Sequence, residues 1–253
     1  MTDTNSDRAQ HFLIDEKVLE KEISVAKLSK KDNVIEIGAG TGVLTQKLAE
    51  SAGKVLAFEI DEKFKEKLEM LREKYPNLSI VYGNALEHDW KGYNKIVSNI
   101  PYFLIGDIIL KAIKINFEEI VIIAGEKFRY KIEMNEDKIG VIVNLFYDAE
   151  TVMKINPSAF MPEPKTDSWL IKLTIKKKGS EQEAILKRIL QKSGKIKNAI
   201  LYSLVEKGKT KNEAREIIEK MNISKDILEK PVEKITGNFI LRLKDEIEKV
   251  IKS

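Results

Sequence analysis

Residues 34–45 read VIEIGAGTGVLT, an apolar strand followed by a run of three glycines and the start of an amphipathic helix. Glycines at this joint let the backbone approach a ligand where a Cβ atom would collide with it. Gly38, Gly40 and Gly42 follow the spacing G-x-G-x-G, whereas a pyrophosphate on the helix N-terminus favours G-x-G-x-x-G. The stretch therefore predicts a nucleoside-binding turn in a doubly wound α/β fold, and it disfavours a dinucleotide.

Short apolar runs alternate with helical patterns over the first two thirds of the chain, which is typical of βα units around a parallel sheet. The predicted strands are residues 33–37, 54–60, 78–82, 95–98 and 119–124, and the helical patterns between them cover 44–51, 62–74 and 105–115. Residues 141–147 and 169–175 predict two further strands, which we expect to be antiparallel because no helical pattern separates them. The expected fold class is α/β with a Rossmann-like, seven-stranded sheet.

Helical periodicity replaces this alternation after the lysine run at residues 176–178. Apolar residues recur at intervals of three and four within 181–193, 196–207, 211–221 and 239–251. We therefore expect two domains, a sheet domain at residues 1–178 and a small all-α domain at residues 179–253.

The composition excludes several kinds of chemistry. The 253 residues include no cysteine and two histidines, so a disulfide framework, a thiolate nucleophile and a cysteine zinc site are excluded, and no metal is expected. No apolar run approaches the roughly 20 residues that cross a bilayer, and the start MTDTNSDRAQ has no signal-peptide core. We expect a soluble, cytoplasmic protein.

Positive charge is concentrated between residues 172 and 215, where thirteen Lys or Arg stand against four acids. This segment carries a charge of +9, and the rest of the chain carries −5. Such a segment commonly faces a polyanion, because each neutralised phosphate releases counterions. A lysine-rich surface of the thermophile type would give the same excess, since Lys accounts for most of the 44 basic residues. Charge alone leaves both interpretations open.

Two polar residues stand at the ends of the next predicted strands. Glu59 follows Gly38 by twenty-one residues, about where doubly wound folds present a carboxylate to ribose hydroxyls. Asn84, in the sequence GNAL, can read the edge of adenine by donating and accepting at once. Each has a plainer alternative, a surface acid for Glu59 and a turn former for Asn84. With the glycine turn, and without a phosphate-specific motif, they predict a bound adenosine nucleoside, and the cofactor we expect is S-adenosylmethionine.

The tetrad Asn99-Ile100-Pro101-Tyr102 follows the fourth predicted strand and is the most specific signal in the chain. An adenine amino group is a poor nucleophile because its lone pair is shared with the ring. Acceptors from the Asn99 side chain and the backbone carbonyls around Pro101 can bind its hydrogens, and Tyr102 can stack on a flipped base. The alternative is a strand-ending Asn-x-Pro turn with Tyr102 in the core. The position at the end of strand four favours a reacting site.

Together these motifs resemble the ribosomal RNA adenine dimethyltransferases of the kasugamycin-resistance type. The resemblance covers most of residues 10–175 and rests on QHFLID at 10–15, EIGAGTG at 36–42, Glu59, GNAL at 83–86, NIPY at 99–102 and PSAFMPEPKTDS at 157–168. It implies that Gln10, His11 and Leu13 touch the cofactor, in addition to Gly38, Gly40, Glu59, Asn84 and Asn99. It also implies that Phe160 stacks on the target base opposite Tyr102.

The chain departs from the pattern of this family at several places. Asn84 stands where the family usually has Asp, and Gly125 and Glu126 stand where it has Gln and Lys. The usual basic and glycine residues ahead of Gln10 are altered, and lysines replace most of the arginines in residues 188–200. Lysine keeps the positive charge but loses the bidentate contact with phosphate, so we expect a different RNA footprint.

The resulting hypothesis is transfer of one or two methyl groups to the N6 amine of adenine near the 3′ end of small-subunit ribosomal RNA, during ribosome assembly. The residues expected to act on the base are Asn99, Pro101, Tyr102 and Phe160. Two alternatives stay open, a catalytically weak assembly factor that binds ribosomal RNA and a methyltransferase for another RNA. The expected partner is ribosomal RNA or a small-subunit assembly particle, without a membrane, and we expect a monomer.

Overall fold

A seven-stranded mixed sheet lies at the centre of the fold in the computed structural model, which describes residues 11–177 and 179–252. The strands are β1 (Phe12–Leu13), β2 (Asn33–Ile37), β3 (Lys54–Glu59), β4 (Leu78–Tyr82), β5 (Lys95–Ser98), β6 (Glu119–Gly125), β7 (Tyr147–Ile155), β8 (Phe160–Met161) and β9 (Ser168–Ile175). The sheet has the order β4-β3-β2-β5-β6-β9-β7, and β1 and β8 form a separate antiparallel pair. Strands β2 to β6 pair in parallel, and β9 runs antiparallel to β6.

Helices connect these strands and fill the C-terminal third of the chain. They are α1 (Glu16–Ala26), α2 (Val43–Ser51), α3 (Lys65–Lys74), α4 (Ile105–Ile115), α5 (Glu126–Met134), α6 (Lys138–Phe146), α7 (Glu181–Gln191), α8 (Ile196–Val205), α9 (Lys211–Lys220), α10 (Lys225–Leu228) and α11 (Gly237–Lys252). Among the described residues, no helix is both long enough and apolar enough to cross a membrane.

The order of the strands creates a crevice beside β2. Strands β3 and β4 lie on one side of β2, and β5 and β6 lie on the other, so the connections diverge between β2 and β5. In open α/β sheets, ligands bind outside the carboxyl ends of the strands at such a switch point. The carboxyl ends of β2 and β5 carry the glycine turn and the Asn99–Tyr102 tetrad, so the topology brings these two motifs to the same place.

The predicted strand at residues 141–147 is wrong, because this segment forms helix α6. Asp137 begins the helix by accepting a hydrogen bond from the Gly140 amide at 2.7 Å. Six of the nine helix residues are buried, so apolar side chains surround the helix and no helical period shows in the sequence. The sixth strand of the sheet is instead β7, which carries mostly exposed side chains and forms an edge. The number of strands was predicted correctly, whereas this strand was placed one element too early.

The chain divides into two compact units. The first, here called the αβ unit, comprises residues up to Tyr130 together with Ala149–Ile175. The second, here called the helical unit, comprises Lys131–Asp148 and the residues from Lys176 onward. The sequence pattern predicts one boundary near residue 178, and the structure adds the segment 131–148 to the helical unit. Helix α6 packs there against α7 and α11.

Candidate active site

The glycine turn leaves space above the carboxyl end of β2. Gly38, Gly40 and Gly42 have φ angles of +83°, +52° and +83°, a region that side chains other than glycine rarely adopt. A Cβ atom built on Gly38 has no described atom within 4 Å, so it would project into open space. A Cβ atom on Gly40 would lie 3.2 Å from the ring of Phe12. The turn is therefore open at Gly38 and covered by an aromatic ring at Gly40.

Glu59 is buried and ties the end of β3 to the glycine turn. Its Oε2 accepts the Gly40 amide at 2.6 Å, and its Oε1 accepts the amides of Ile60 and Asp61 at 2.8 Å each. Only 3% of the residue is exposed, so Glu59 is not a surface acid. A carboxylate has about four acceptor positions, of which three are used here. One position on Oε2 remains for a ligand hydroxyl.

Asn84 lies exposed after β4 and caps a short turn. Its Oδ1 accepts the Leu86 amide at 3.1 Å, and its Nδ2 donates to Glu87 at 2.9 Å. In this structure, Asn84 therefore acts as a turn-forming residue. One amide hydrogen of Asn84 is left to donate to an adenine edge. To accept from adenine as well, Oδ1 would have to accept two hydrogen bonds at once, one from the base and one from the Leu86 amide.

Ser98 aligns the tetrad with the glycine turn. Its hydroxyl donates to the Ile37 carbonyl at 2.7 Å and accepts the Ile37 amide at 3.1 Å, which locks the end of β5 to the end of β2. Asn99 and Gly38 therefore leave the sheet side by side. Past the tetrad, the Leu104 amide donates to the Pro101 carbonyl at 2.9 Å. A carbonyl oxygen has two lone pairs, so the Pro101 oxygen can still accept one more hydrogen bond.

Tyr102 is held in place at both ends of its side chain. The hydroxyl lies 2.5 Å from Ser168 Oγ at the start of β9, and burial raises the pKa of Tyr102. The ring rests on the backbone of Gly125, where a Cβ atom would approach the ring to 3.0 Å. Glycine at position 125 thus leaves room for the Tyr102 ring, which a larger side chain would crowd. The next residue, Phe103, is 68% exposed and is a second aromatic side chain beside the tetrad.

Glu126 is part of a small polar cluster in the αβ unit. Its carboxylate accepts hydrogen bonds from the Trp169 indole and from Arg129, and the Arg129 guanidinium lies 4.8 Å from the centroid of the Trp169 ring. The Arg129 contact holds the pKa of Glu126 below its usual range. Trp169 and Glu126 line a cleft of about 470 Å³ together with residues of the 154–167 segment. Glu126 is therefore held in place by its contacts with Arg129 and Trp169.

The N-terminal strand contacts the glycine turn and the proline-rich segment. Leu13 pairs with Phe160 across β1 and β8, and His11 Nδ1 lies 2.7 Å from the Pro162 carbonyl oxygen. Phe12 covers Gly40 and is a residue that the sequence analysis missed. Phe160 is 4% exposed and belongs to the apolar core, so this structure does not present it to a base. Gln10 lies outside the described residues.

Two buried carboxyls behind the crevice also escaped the sequence analysis. Glu22 of α1 and Glu36 of β2 are almost fully buried, and burial raises the pKa of each from 4.5 to about 8. Each is affected further by a neighbouring carboxyl, Glu22 by Glu36 and Glu36 by Glu59. The amide of Asn99 partly offsets the rise in the pKa of Glu22, although neither Glu22 oxygen has a hydrogen-bond partner among the described residues. The periodicity of α1 places Glu22 on the apolar face, which was the available signal.

Internal ion pairs neutralise part of the basic segment in the helical unit. Arg188 and Lys192 both pair with Glu206, at 2.8 and 2.6 Å, and Lys195 pairs with Glu229 at 2.7 Å. The exposed residues Lys197, Lys207, Lys209 and Lys211 have no carboxylate within 4 Å in the part of the chain that the structure describes. The segment 188–200 also spans the end of α7 and the start of α8 rather than one helix. These four lysines lie in α8, the turn after it and the start of α9.

The cofactor predicted from the sequence fits these residues. The open space at Gly38 would admit a ligand, the free acceptor position on Glu59 suits a ribose hydroxyl, and the remaining amide hydrogen of Asn84 suits a base. Among the described residues, no group of three His, Cys, Asp or Glu side chains is arranged to hold a metal ion.

The strand order, the glycine turn and the tetrad at the switch point define the class of protein, which is the Rossmann-like S-adenosylmethionine-dependent methyltransferase fold with a small C-terminal helical domain. A family model described as "Ribosomal RNA adenine dimethylase" matches residues 1–236. The chain belongs to this family, and it is therefore an enzyme, an rRNA adenine methyltransferase.

Curated relatives and solved structures agree with this assignment. A probable ribosomal RNA small subunit methyltransferase A from Methanococcus maripaludis is 34% identical, with 94% of this chain and 97% of the relative covered. The protein of the same name from Pyrococcus abyssi is 36% identical over 74% of this chain and 71% of its own length. A dimethyladenosine transferase from Plasmodium falciparum superposes with a TM-score of 0.64 at 26% identity, covering 95% of this chain and 98% of the other. The 23S rRNA methyltransferase ErmE shares the fold, with a TM-score of 0.63 at 21% identity and coverage of 94% and 99%.

Proposed function

We propose that this chain transfers methyl groups from S-adenosylmethionine to the N6 amine of an adenine near the 3′ end of small-subunit ribosomal RNA. One observation carries the proposal, the pair of hydrogen bonds by which Ser98 holds the start of the tetrad beside the glycine turn. A cofactor on the turn and an amine at Asn99 then meet at one edge of the sheet. Curated relatives named for the small subunit support the choice of RNA.

The residues of the chain orient the reactants and exclude water. Asn99 Oδ1 and the free lone pair of the Pro101 carbonyl accept the two hydrogens of the target amine. Tyr102, fixed through Ser168, presents the exposed part of its ring to the base. Bringing the amine into line with a reactive methyl group supplies much of such a rate enhancement, because the reactants no longer have to find each other.

S-adenosylmethionine, when bound, supplies a methyl group on a positively charged sulfur, so this displacement needs no metal ion. We propose that Gly38, Gly40, Glu59 and Asn84 hold it, with His11 and Leu13 in the strand that borders the turn. Glu59 contributes its free acceptor position to a ribose hydroxyl. Gln10 is proposed only from the family resemblance.

Base stacking raises a specific question in this chain. Phe160 lies in the core, whereas Phe103 is largely exposed next to Tyr102. Stacking by Phe160 on the target base requires the β1–β8 pair to move. We therefore propose Phe160 as a stacking partner only for the RNA-bound state.

The proposed partner is the RNA within an assembling small subunit, in the cytoplasm, and the proposed state is a monomer. Lys197, Lys207, Lys209 and Lys211 are the side chains we expect to contact phosphates, because they are exposed and no carboxylate lies within 4 Å of them among the described residues. An interaction of this type weakens steeply as salt is raised.

Mass spectrometry of unmethylated small-subunit ribosomal RNA, free and in particles, tests the function after incubation with the chain and S-adenosylmethionine. We expect methylated adenosine with the parent chain. With Asn99→Ala, the methylation rate should fall by about 100-fold or more, a loss typical of removing one positioned hydrogen-bonding group. Asn238→Ala, at an exposed position in α11, serves as the matched control.

Calorimetric titration with the cofactor separates the alternatives. Saturable binding without methylation of small-subunit RNA would move the proposal to another RNA. If the chain binds RNA but not the cofactor, the catalytically weak assembly factor is favoured. The engagement of the Asn84 side chain in local hydrogen bonds is the observation that supports this alternative. An equal rate for Asn99→Ala and the parent would contradict the assigned site.

A further inference from the structure

The turn that follows Asn84 is held by a lysine from a distant element. Lys111 of α4 donates its ammonium hydrogens to three backbone carbonyls, those of Leu86 at 2.7 Å, His88 at 2.5 Å and Ala85 at 3.3 Å. An ammonium group has three hydrogens, so these carbonyls use all of its donor capacity. Hydrogen bonds from a charged donor are stronger than those between neutral groups, so Lys111 fixes this turn firmly to α4.

Trp90 makes a further contact with the same ammonium group. Its ring centroid lies 4.5 Å from Lys111 Nζ, and its buried indole donates to the Ala85 carbonyl at 3.0 Å. Partial burial lowers the pKa of Lys111, and the carboxylate of Asp89 opposes this shift. The position therefore disfavours a charge in itself, and the three carbonyls and the Trp90 ring offset that cost.

Leu86 connects this lysine to the proposed cofactor site. Its carbonyl accepts from Lys111, and its amide donates to Asn84 Oδ1 at 3.1 Å. The other end of the Asn84 amide, Nδ2, donates one hydrogen to Glu87 at 2.9 Å and has one hydrogen left. An asparagine side chain can turn over and exchange its donor and acceptor ends with little change of shape. The fixed amide of Leu86 selects the orientation in which the donor end is free.

We propose that Lys111 is a positioning residue for the cofactor, which fixes Leu86 and thereby directs the free Nδ2 hydrogen of Asn84 toward the adenine edge. This inference rests on the proposed function, because it concerns the residue proposed to read the cofactor base. A donor at this point suits a ring nitrogen of adenine, which accepts a hydrogen bond, rather than the exocyclic amine, which donates one.

The effect of Lys111 should fall on cofactor binding rather than on the reacting tetrad. Helix α4 follows β5, and the turn at residues 85–88 follows β4. These two strands are separated in the sheet by β3 and β2, so Lys111 supplies a contact between elements that leave the sheet apart from each other. The tetrad has its own anchor, because Ser98 bonds to both backbone groups of Ile37. Loss of the lysine should therefore release Asn84 and leave Asn99 in place.

Calorimetric titration of the full chain with S-adenosylmethionine, without RNA, tests the inference. Lys111→Met keeps the apolar stem and removes the three hydrogens, and the cofactor Kd should rise by about five-fold, as for the loss of one hydrogen bond. Asn84→Ala should raise the Kd by a similar factor. The double variant should bind no more weakly than either single variant, because both residues act through one hydrogen-bonded chain.

Steady-state methylation of small-subunit ribosomal RNA supplies the second readout. In Lys111→Met, the KM for the cofactor should rise with the Kd, and kcat at saturating cofactor should stay within about two-fold of the parent. A lysine that positioned the target amine instead would lower kcat. The split between KM and kcat therefore assigns Lys111 to the cofactor side of the crevice.

Two controls separate positioning from stability. Lys114→Met removes an exposed lysine from the same helix and should leave both the cofactor Kd and Tm unchanged. Asn77→Ala removes the side-chain hydrogen bonds to the carbonyls of Ala49 and Ala52, at the amino end of β4 and away from the crevice. It should lower Tm and leave the cofactor Kd unchanged, with all titrations made well below Tm.

Several results would overturn the inference while the proposed function stands. They are a parental Kd for Lys111→Met or for Asn84→Ala, a double variant whose loss is the product of the two single losses, a lowered kcat with an unchanged cofactor KM, and an equal weakening in Asn77→Ala. A parent chain that does not bind S-adenosylmethionine, or that methylates no RNA, overturns the proposed function and this inference with it.

Discussion

Acidic side chains are used in opposite ways in the two units of this protein. In the αβ unit, Glu22 and Glu36 are buried at the back of the crevice with unpartnered oxygens among the described residues. In the helical unit, Glu206 lies at the surface and accepts both Arg188 and Lys192. The first arrangement destabilises the fold at neutral pH, and the second places opposite charges together where water screens them.

The difference indicates where each unit contributes to function. In the αβ unit, the carboxyls without hydrogen-bond partners among the described residues lie on α1 and on β2, the strand that leads into the glycine turn. Exposed ion pairs contribute at most about 1 kcal/mol each, so the paired cations of the helical unit are a weak guide to function. The exposed lysines beside them that form no ion pair within 4 Å are the better guide, because their ammonium groups remain available to phosphates.

The largest expected difference between the units is in the effect of removing one carboxylate. Glu59→Ala leaves the amides of Gly40, Ile60 and Asp61 without their acceptor, and each such loss destabilises a protein by about 1–3 kcal/mol. We expect the free energy of unfolding to fall by about 3 kcal/mol or more, measured by urea denaturation. Glu206→Ala, which removes exposed pairs, should change it by less than about 1 kcal/mol. Equal losses for the two variants would remove the contrast between the units.

A second difference lies in the response of stability to pH. The pKa values of Glu22 and Glu36 are raised in the folded state, from 4.5 to about 8, so the folded chain binds these protons more tightly than the unfolded chain. Their contribution to stability is therefore full below pH 4.5 and is lost as the pH rises toward 8. The free energy of unfolding should fall in this window by up to about 1.4 kcal/mol per pH unit for each carboxyl.

Denaturation at several pH values between 5 and 8 measures this slope. Glu36→Gln should make it shallower, because glutamine does not titrate, whereas Glu206→Gln in the helical unit should leave the downward slope in place. If Glu36→Gln and the parent lose stability at the same rate, the buried carboxyls are not the cause.

The sequence predicts the sheet and the crevice well for a local reason. Each parallel strand is a short buried run next to its own turn, and the glycines and the tetrad lie directly at strand ends. Seven strands were expected and the sheet has seven, but the strand predicted at residues 141–147 is a helix, and the antiparallel pairing observed is that of β9 with β6. Where the hydrophobic pattern of a segment agrees with its burial in the fold, the sequence alone predicts the element correctly.

The features that the sequence did not reveal depend on contacts between distant segments. Phe160 is buried because β8 pairs with β1, which lies about 150 residues away in the chain. Helix α6 is apolar all round because it packs within the helical unit, so its residues resemble a strand. Glu22 is buried because α1 packs against β6 and β9, which lie about 100 to 150 residues later in the chain. A single sequence contains no local signal for such pairings.

Charge reversal at the unpaired lysines tests the other half of the comparison. We expect Lys197, Lys207 and Lys209 changed together to Glu to weaken binding of small-subunit RNA by about ten-fold or more, which corresponds to about 1.4 kcal/mol. The dependence of affinity on salt should also become shallower, because fewer counterions are released. Filter binding at several salt concentrations measures both quantities, and cofactor affinity should stay unchanged.

The matched control reverses three exposed lysines of the αβ unit, Lys17, Lys47 and Lys67. It makes the same change in net charge on a surface without an assigned RNA contact. If it weakens RNA binding as much as the first variant, total charge governs the affinity and the unpaired lysines have no special place.

The smallest expected effect concerns how the helical unit maintains its own stability. Ser180 begins α7 with a capping box, in which its hydroxyl accepts the Glu183 amide at 3.3 Å and Glu183 accepts the Ser180 amide at 3.2 Å. Ser180→Ala should lower the free energy of unfolding by about 1 kcal/mol, because the first turn loses its acceptor. Ser193→Ala, at an exposed position between α7 and α8, should change it by less than about 0.5 kcal/mol. Because a cap satisfies backbone groups locally, we expect Ser180→Ala to leave the cofactor affinity unchanged. A loss of cofactor affinity in this variant would contradict a purely local role for the cap.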